Sequence, residues 1–106
     1  MALTNSGLNR SLLAQFDGDL IGKIAELAAD LTPIRDIAAL LDLKEDVLRC
    51  VINDPHSEVR HAYMKARATT ARKLRKQELE LAEVGSPMAV QMTSIYLRDM
   101  MQDEDL

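Results

Sequence analysis

The segment PIRDIAALLDLKEDVLRCVI, Pro33–Ile52, decides the fold. Its apolar residues recur at spacings of three and four on either side of an Asp-Leu pair, which predicts two short helices around a tight turn. A steep crossing of such helices needs a small residue on the first, and Ala38 stands there with Ile37 and Leu41 beside it. Leu43 plugs the turn, while Leu48 and Val51 anchor the second helix. Asp42 takes the turn position that calls for positive φ, where Asp is tolerated better than most side chains. The reading is a helix-turn-helix; an ordinary helical hairpin shares much of the pattern and stays open beside it.

The outward positions of the second helix are Lys44, Glu45, Asp46, Arg49, Cys50 and Asn53. In a DNA groove Arg49 and Asn53 would reach base edges, and Lys44 a phosphate. The Lys-Glu-Asp opening conflicts with that use. Carboxylates at a helix N-terminus favour the helix dipole, so a structural role is open to them. A helix with this leading edge binds nucleic acid weakly by itself and needs phosphate contacts from elsewhere, repeated over several copies.

Working outward, each proline follows a good capping residue: Thr32-Pro33, Asp54-Pro55 and Ser86-Pro87. Proline suits the first helical position, where its missing N–H costs no hydrogen bond, so three helices are expected to start there. Gly85 supplies the positive φ of a helix C-terminus and makes GSP a tight corner. Upstream, DLIGKIAELAADL sets Leu20, Ile24, Leu27, Ala28 and Leu31 on one face of a helix at about 18 to 30. The expected organisation is all-α: a flexible arm at 1–17, with Leu12, Leu13 and Phe16 docking back, then a helix-turn-helix domain at 18–53. A long antiparallel helical hairpin at 54–101 follows, and an acidic tail at 102–106.

The helix from Asp54 to about Val84 carries a narrow stripe, Val59, Tyr63, Ala66, Thr70, Leu74, Gln77, Leu81 and Val84, with small residues at its middle. Small residues permit close helix packing, here between subunits. Val59, Tyr63, Ala66, Leu74 and Leu81, with Met88, Met92, Ile95 and Tyr96 of the last helix, are the candidate oligomerisation residues. The same long helix carries seven basic residues and no acid from Arg60 to Lys76: Arg60, Lys65, Arg67, Arg72, Lys73, Arg75 and Lys76. Net charge is −4, yet acids crowd the N-terminal half and the tail, so the sign of the field depends on the face considered. The basic run either lies along DNA or pairs with acids of neighbouring copies.

Aromatic residues are 3% of the chain, too few to fill a sizeable core in 106 residues, and self-association is the expected remedy. The single Cys50 cannot form an internal disulfide and suits a reducing compartment. No apolar run approaches the roughly 20 residues of a membrane span, and MALTNSGLNRSLLAQFDGD lacks the pattern of a secretory signal. A soluble, intracellular protein is expected. His56 and His61 have no partners at metal-ligand spacing, Cys50 has no patterned base, and the four glycines form no phosphate loop. The methionines read as interface filler. No enzyme activity, metal or cofactor is expected.

Taken together, IRDIAALLDLKEDVL, the Asp-Pro turn, AYMKARATTARKLRKQELELA and GSPMAVQMTSIYL resemble the small terminase subunits of tailed double-stranded DNA bacteriophages. The ending after the long charged helix is carried by Ala82, Gly85, Ser86, Ala89, Tyr96 and Leu97, and the resemblance covers roughly residues 20 to 100. It implies a ring of copies with helix-turn-helix domains around a core of helical hairpins. Such a ring recognises viral genomic DNA for packaging and regulates the large terminase, the motor and nuclease. On that basis the partners are double-stranded DNA, further copies of the chain and the large terminase subunit, with no membrane, in the cytoplasm of the infected bacterial host. The acidic tail would touch the large subunit. The DNA-binding residues would be Lys44, Arg49, Asn53, Arg60, Lys65, Arg67, Arg72, Lys73, Arg75 and Lys76. Two other readings stay open: a dimeric helix-turn-helix transcriptional regulator, and an adaptor without a DNA role.

Overall fold

The computed structural model describes residues 15–104, and among them all regular structure is helical. Its elements are α1 (Gly18–Ala29), α2 (Ile34–Leu40), α3 (Glu45–Asn53), α4 (Glu58–Glu83) and α5 (Pro87–Glu104). Leu12, Leu13 and the last two residues lie outside the described residues. The chain is all-α, and no described helix is long and apolar enough to cross a membrane. It divides into two compact units, the first ending at Thr70 and the second starting at Ala71. The break falls inside α4 rather than at the expected 53/54 boundary, because the first turns of α4 belong to the first unit's core.

That core is built from every element of the first unit. Phe16, Ile24, Ala28, Ile37, Ala38, Leu48, Val51, Ile52, Val59 and Tyr63 are buried together. Ile24, Ile37, Leu48 and Val59 are wholly enclosed, and burying one such side chain stabilises by about 1.5–3 kcal/mol. Asp17 caps α1 by accepting the Leu20 N–H at 2.9 Å. Ala38 is buried where α2 approaches α3, and the four residues Leu41–Lys44 connect the two helices.

Three helices stop in the same way. After α1, Leu31 has φ 60°, and the N–H groups of Leu31 and Thr32 donate back to Ala28 and Leu27. After α2, Asp42 has φ 57°, with Asp42 and Leu43 donating to Ala39 and Ala38. After α4, Gly85 has φ 93°, with Gly85 and Ser86 donating to Ala82 and Leu81. Each is a Schellman closure, in which one left-handed residue lets two N–H groups satisfy orphan carbonyls of the last turn. The expectations for Asp42 and Gly85 hold. Leu31, expected on the core face, is instead a 47% exposed left-handed residue.

The proline starts divide differently. Ser86 caps α5 through the Ala89 N–H at 3.3 Å, with Pro87 the first helical residue, as expected. Pro33 lies one residue before α2, and no side chain caps that helix. Asp54-Pro55 does not start α4. Asp54 accepts the His56 N–H in a local turn, and Ser57 is the cap, accepting the Arg60 N–H at 2.9 Å. Ser57 is buried and also donates to the Val51 carbonyl at 2.7 Å, so one hydroxyl joins the end of α3 to the start of α4.

In the second unit α5 returns beside the C-terminal part of α4 after the Gly85 corner. Arg75 Nη2 approaches Asp99 Oδ2 at 3.5 Å, and its guanidinium lies 5.5 Å from the centre of the Tyr96 ring. Among the described residues of this unit only Ala89 is buried. Helix α5 continues to Glu104, past the expected end at Met101, so the start of the acidic segment is helical.

Candidate nucleic-acid interface

The outward face of α3 follows from what α3 buries. Leu48, Val51 and Ile52 point into the core, so a 3.6-residue period turns Glu45, Arg49 and Asn53 outward as one row. All three are exposed, as are Lys44 and Asp46, and Cys50 is partly covered. The acids of the leading edge have local partners. Asp46 Oδ1 accepts the Val47 N–H at 2.9 Å, within the first turn where N–H groups lack helical acceptors. Glu45 Oε2 accepts from Arg49 Nε at 2.9 Å, in the favourable order of acid before base across one turn. Both side chains of that pair are about half exposed, and such a pair contributes only about 0.3–0.5 kcal/mol to stability. At that strength the pair biases where Arg49 points, by a factor of about two, and does not lock it.

The basic residues of α4 fall into two kinds. Arg60, Arg67 and Arg75 have partners within the chain. Arg60 Nη1 donates to the Ile52 carbonyl at 2.9 Å, satisfying an orphan acceptor at the end of α3. The Arg67 guanidinium lies 5.6 Å from the centre of the Tyr63 ring one turn earlier. Arg75 holds Asp99 and Tyr96. Lys65, Arg72, Lys73 and Lys76 are exposed, and among the described residues they enter no ion pair. In the second unit Arg72, Lys73 and Lys76 form a cationic group, since position 76 lies one turn from both 72 and 73.

The expected oligomerisation residues divide at the same point of the helix. Val59 and Tyr63 are buried inside the first unit of their own chain, with Ala66 packed against that core. They are not available to a neighbouring copy. The stripe continues in the second unit with Leu74, Leu81 and Val84, which are 42%, 50% and 81% exposed. Met88 and Ile95 are exposed as well, while Met92 and Tyr96 are half-buried. Val90 and Leu97, outside the expected oligomerisation set, and Met100 and Met101, read with the other methionines as interface filler, add to the exposed apolar surface of α5.

Sequence reasoning took Glu45 for an obstacle and missed it as the partner of Arg49, although the spacing of four was a visible signal. Nothing in the sequence pointed to the Arg60–Ile52 bond, which depends on how α4 starts. No family model, curated protein or solved structure matches the chain.

Proposed function

We propose that this chain is an oligomeric DNA-binding protein of the small terminase kind, which recognises viral genomic DNA for packaging and regulates a large terminase motor and nuclease. In this reading α2, the turn at Asp42 and α3 form a helix-turn-helix, with the Glu45–Arg49–Asn53 row facing the major groove. The exposed cations of α4 add phosphate contacts that carry no sequence information but supply affinity. Weak grips of this kind add up when copies are held together.

The observation that carries the proposal is the contrast between the two units. The first has a closed core, whereas the second leaves nearly all its large apolar side chains exposed. Exposed apolar surface on that scale marks an interface. By helical period, Val90, Leu97 and Met101 occupy one flank of α5, and Met88 and Ile95 another. Two separate flanks call for two different neighbours, which is the head-to-tail contact that closes rings. A dimeric regulator would need one self-complementary patch, and this arrangement favours the ring over it.

A mobility-shift titration of viral and random duplex over a range of salt tests the DNA half of the proposal. Binding that weakens steeply with salt is expected. Absence of salt-dependent binding to either duplex would leave the chain an adaptor whose cations serve its neighbours.

A further inference from the structure

Resting on that reading of α3, we infer that Glu45 is a positioning residue that braces Arg49 to read guanine in the major groove. Arg49 has five N–H donors on a planar fork, and the Nε edge is the one occupied by Glu45 Oε2 at 2.9 Å. The terminal Nη1 and Nη2 groups make no hydrogen bond or ion pair among the described residues, and the side chain is 49% exposed, which leaves donors for a partner. Guanine offers two adjacent acceptors in the major groove, O6 and N7, which match two parallel N–H donors. Adenine sets a donor beside N7 and cytosine presents a donor, so neither accepts the fork.

The brace also removes the electrostatic objection to this helix. Lys44, Glu45, Asp46 and Arg49 sum to zero charge, with Glu45 bound to Arg49 and Asp46 to the Val47 N–H. The carboxylates meet donors of their own helix. An unbraced Arg49 would swing toward the nearest phosphate, which carries no sequence information. Drawn toward Glu45 at Nε, it presents the outer edge of its fork to a base more often. Asn53, one turn further along the same row, lies where a neighbouring base would be met.

The pair predicts opposite signs for two quantities. Selection from a random duplex pool with the full-length assembly should enrich a site containing at least one required G·C pair. Arg49→Ala should cut discrimination at that pair by about tenfold, a larger loss than the general weakening that removal of a cation causes on random duplex. Replacing the guanine with 7-deazaguanine, which lacks N7, should cost the wild-type protein a similar factor and the Arg49→Ala variant nothing. Glu45→Gln should tighten binding to random duplex, since an acid is removed, and yet lower guanine discrimination. In the Arg49→Ala background Glu45→Gln should leave discrimination unchanged.

If Glu45 merely repels DNA, Glu45→Gln will tighten binding to all sequences by one factor, and the inference is overturned. It is overturned too if the selected site requires no guanine, or if 7-deazaguanine binds the wild type as well as guanine does. In those cases salt-dependent duplex binding would persist and the proposed function would stand. Loss of duplex binding at every salt concentration would overturn both.

Discussion

Thr70 donates its hydroxyl to the Ala29 carbonyl at 2.6 Å, tying the last residue of the first unit on α4 to the last helical residue of α1. The carbonyl is one of the orphan acceptors of a helix C-terminus, and this hydroxyl supplies it with a donor. Forty-one residues separate the two in sequence, so the bond exists only once α4 has docked. Thr70→Val, which keeps the shape and removes the donor, should lower the unfolding free energy by about 1 kcal/mol. Urea unfolding followed by helical circular dichroism measures this, and an unchanged midpoint would mean that the bond contributes nothing.

Ser57 has a larger role for its size. It caps α4 through the Arg60 N–H and holds the Val51 carbonyl, and it is buried while doing both. Ser57→Ala should cost about 2 kcal/mol, from the lost cap and from a buried carbonyl left without its donor. Asp54→Ala, at the residue that the sequence pattern favours as the cap, should cost less in the same denaturation assay.

Leu31 offers a gain in stability. A left-handed leucine stores roughly 1–2 kcal/mol of backbone strain, and this one sits at φ 60° with nearly half its surface exposed. Leu31→Gly should raise the unfolding free energy by up to about 1 kcal/mol, after allowance for the greater freedom of glycine in the unfolded chain. A fall in stability would mean that the leucine side chain packs more productively than its exposure implies.

These positions mark how far the sequence could be read. The helix at 18 to 30, the left-handed Asp42 and the Gly-Ser-Pro corner were all legible, because each depends on residues within a few positions of it. The start of α4 was not. DPHSEV holds two capping residues, and Ser57 prevails over Asp54 because its hydroxyl donates to the Val51 carbonyl across the turn while accepting the Arg60 N–H, and a carboxylate has no proton to donate. The stripe from Val59 to Val84 was legible as a stripe, but periodicity does not say whose core a stripe fills. Val59 and Tyr63 fill their own chain's, whereas Leu74, Leu81 and Val84 remain exposed. At the candidate interface Arg49 and Asn53 were found by position. The tether from Glu45 to Arg49 was visible as a spacing and misread as repulsion.

The division among the cations of α4 predicts their share of DNA affinity. Arg72→Ala, Lys73→Ala and Lys76→Ala together should flatten the dependence of log K on log salt more than Arg49→Ala does, each lost phosphate contact lowering the slope by about 0.9. Arg75→Ala should instead destabilise the second unit, because its guanidinium holds Asp99 and Tyr96. Equal slopes for the triple variant and Arg49→Ala would place the electrostatic affinity outside α4.

The proposed function requires neighbours to cover what the second unit leaves exposed, and the mass of the native protein tests that directly. Size-exclusion chromatography with light scattering should give a closed assembly well above a dimer, with a mass that stays constant as concentration changes. A stable monomer at high micromolar concentration would contradict the account, and a dimer of fixed mass would replace the ring with the regulator.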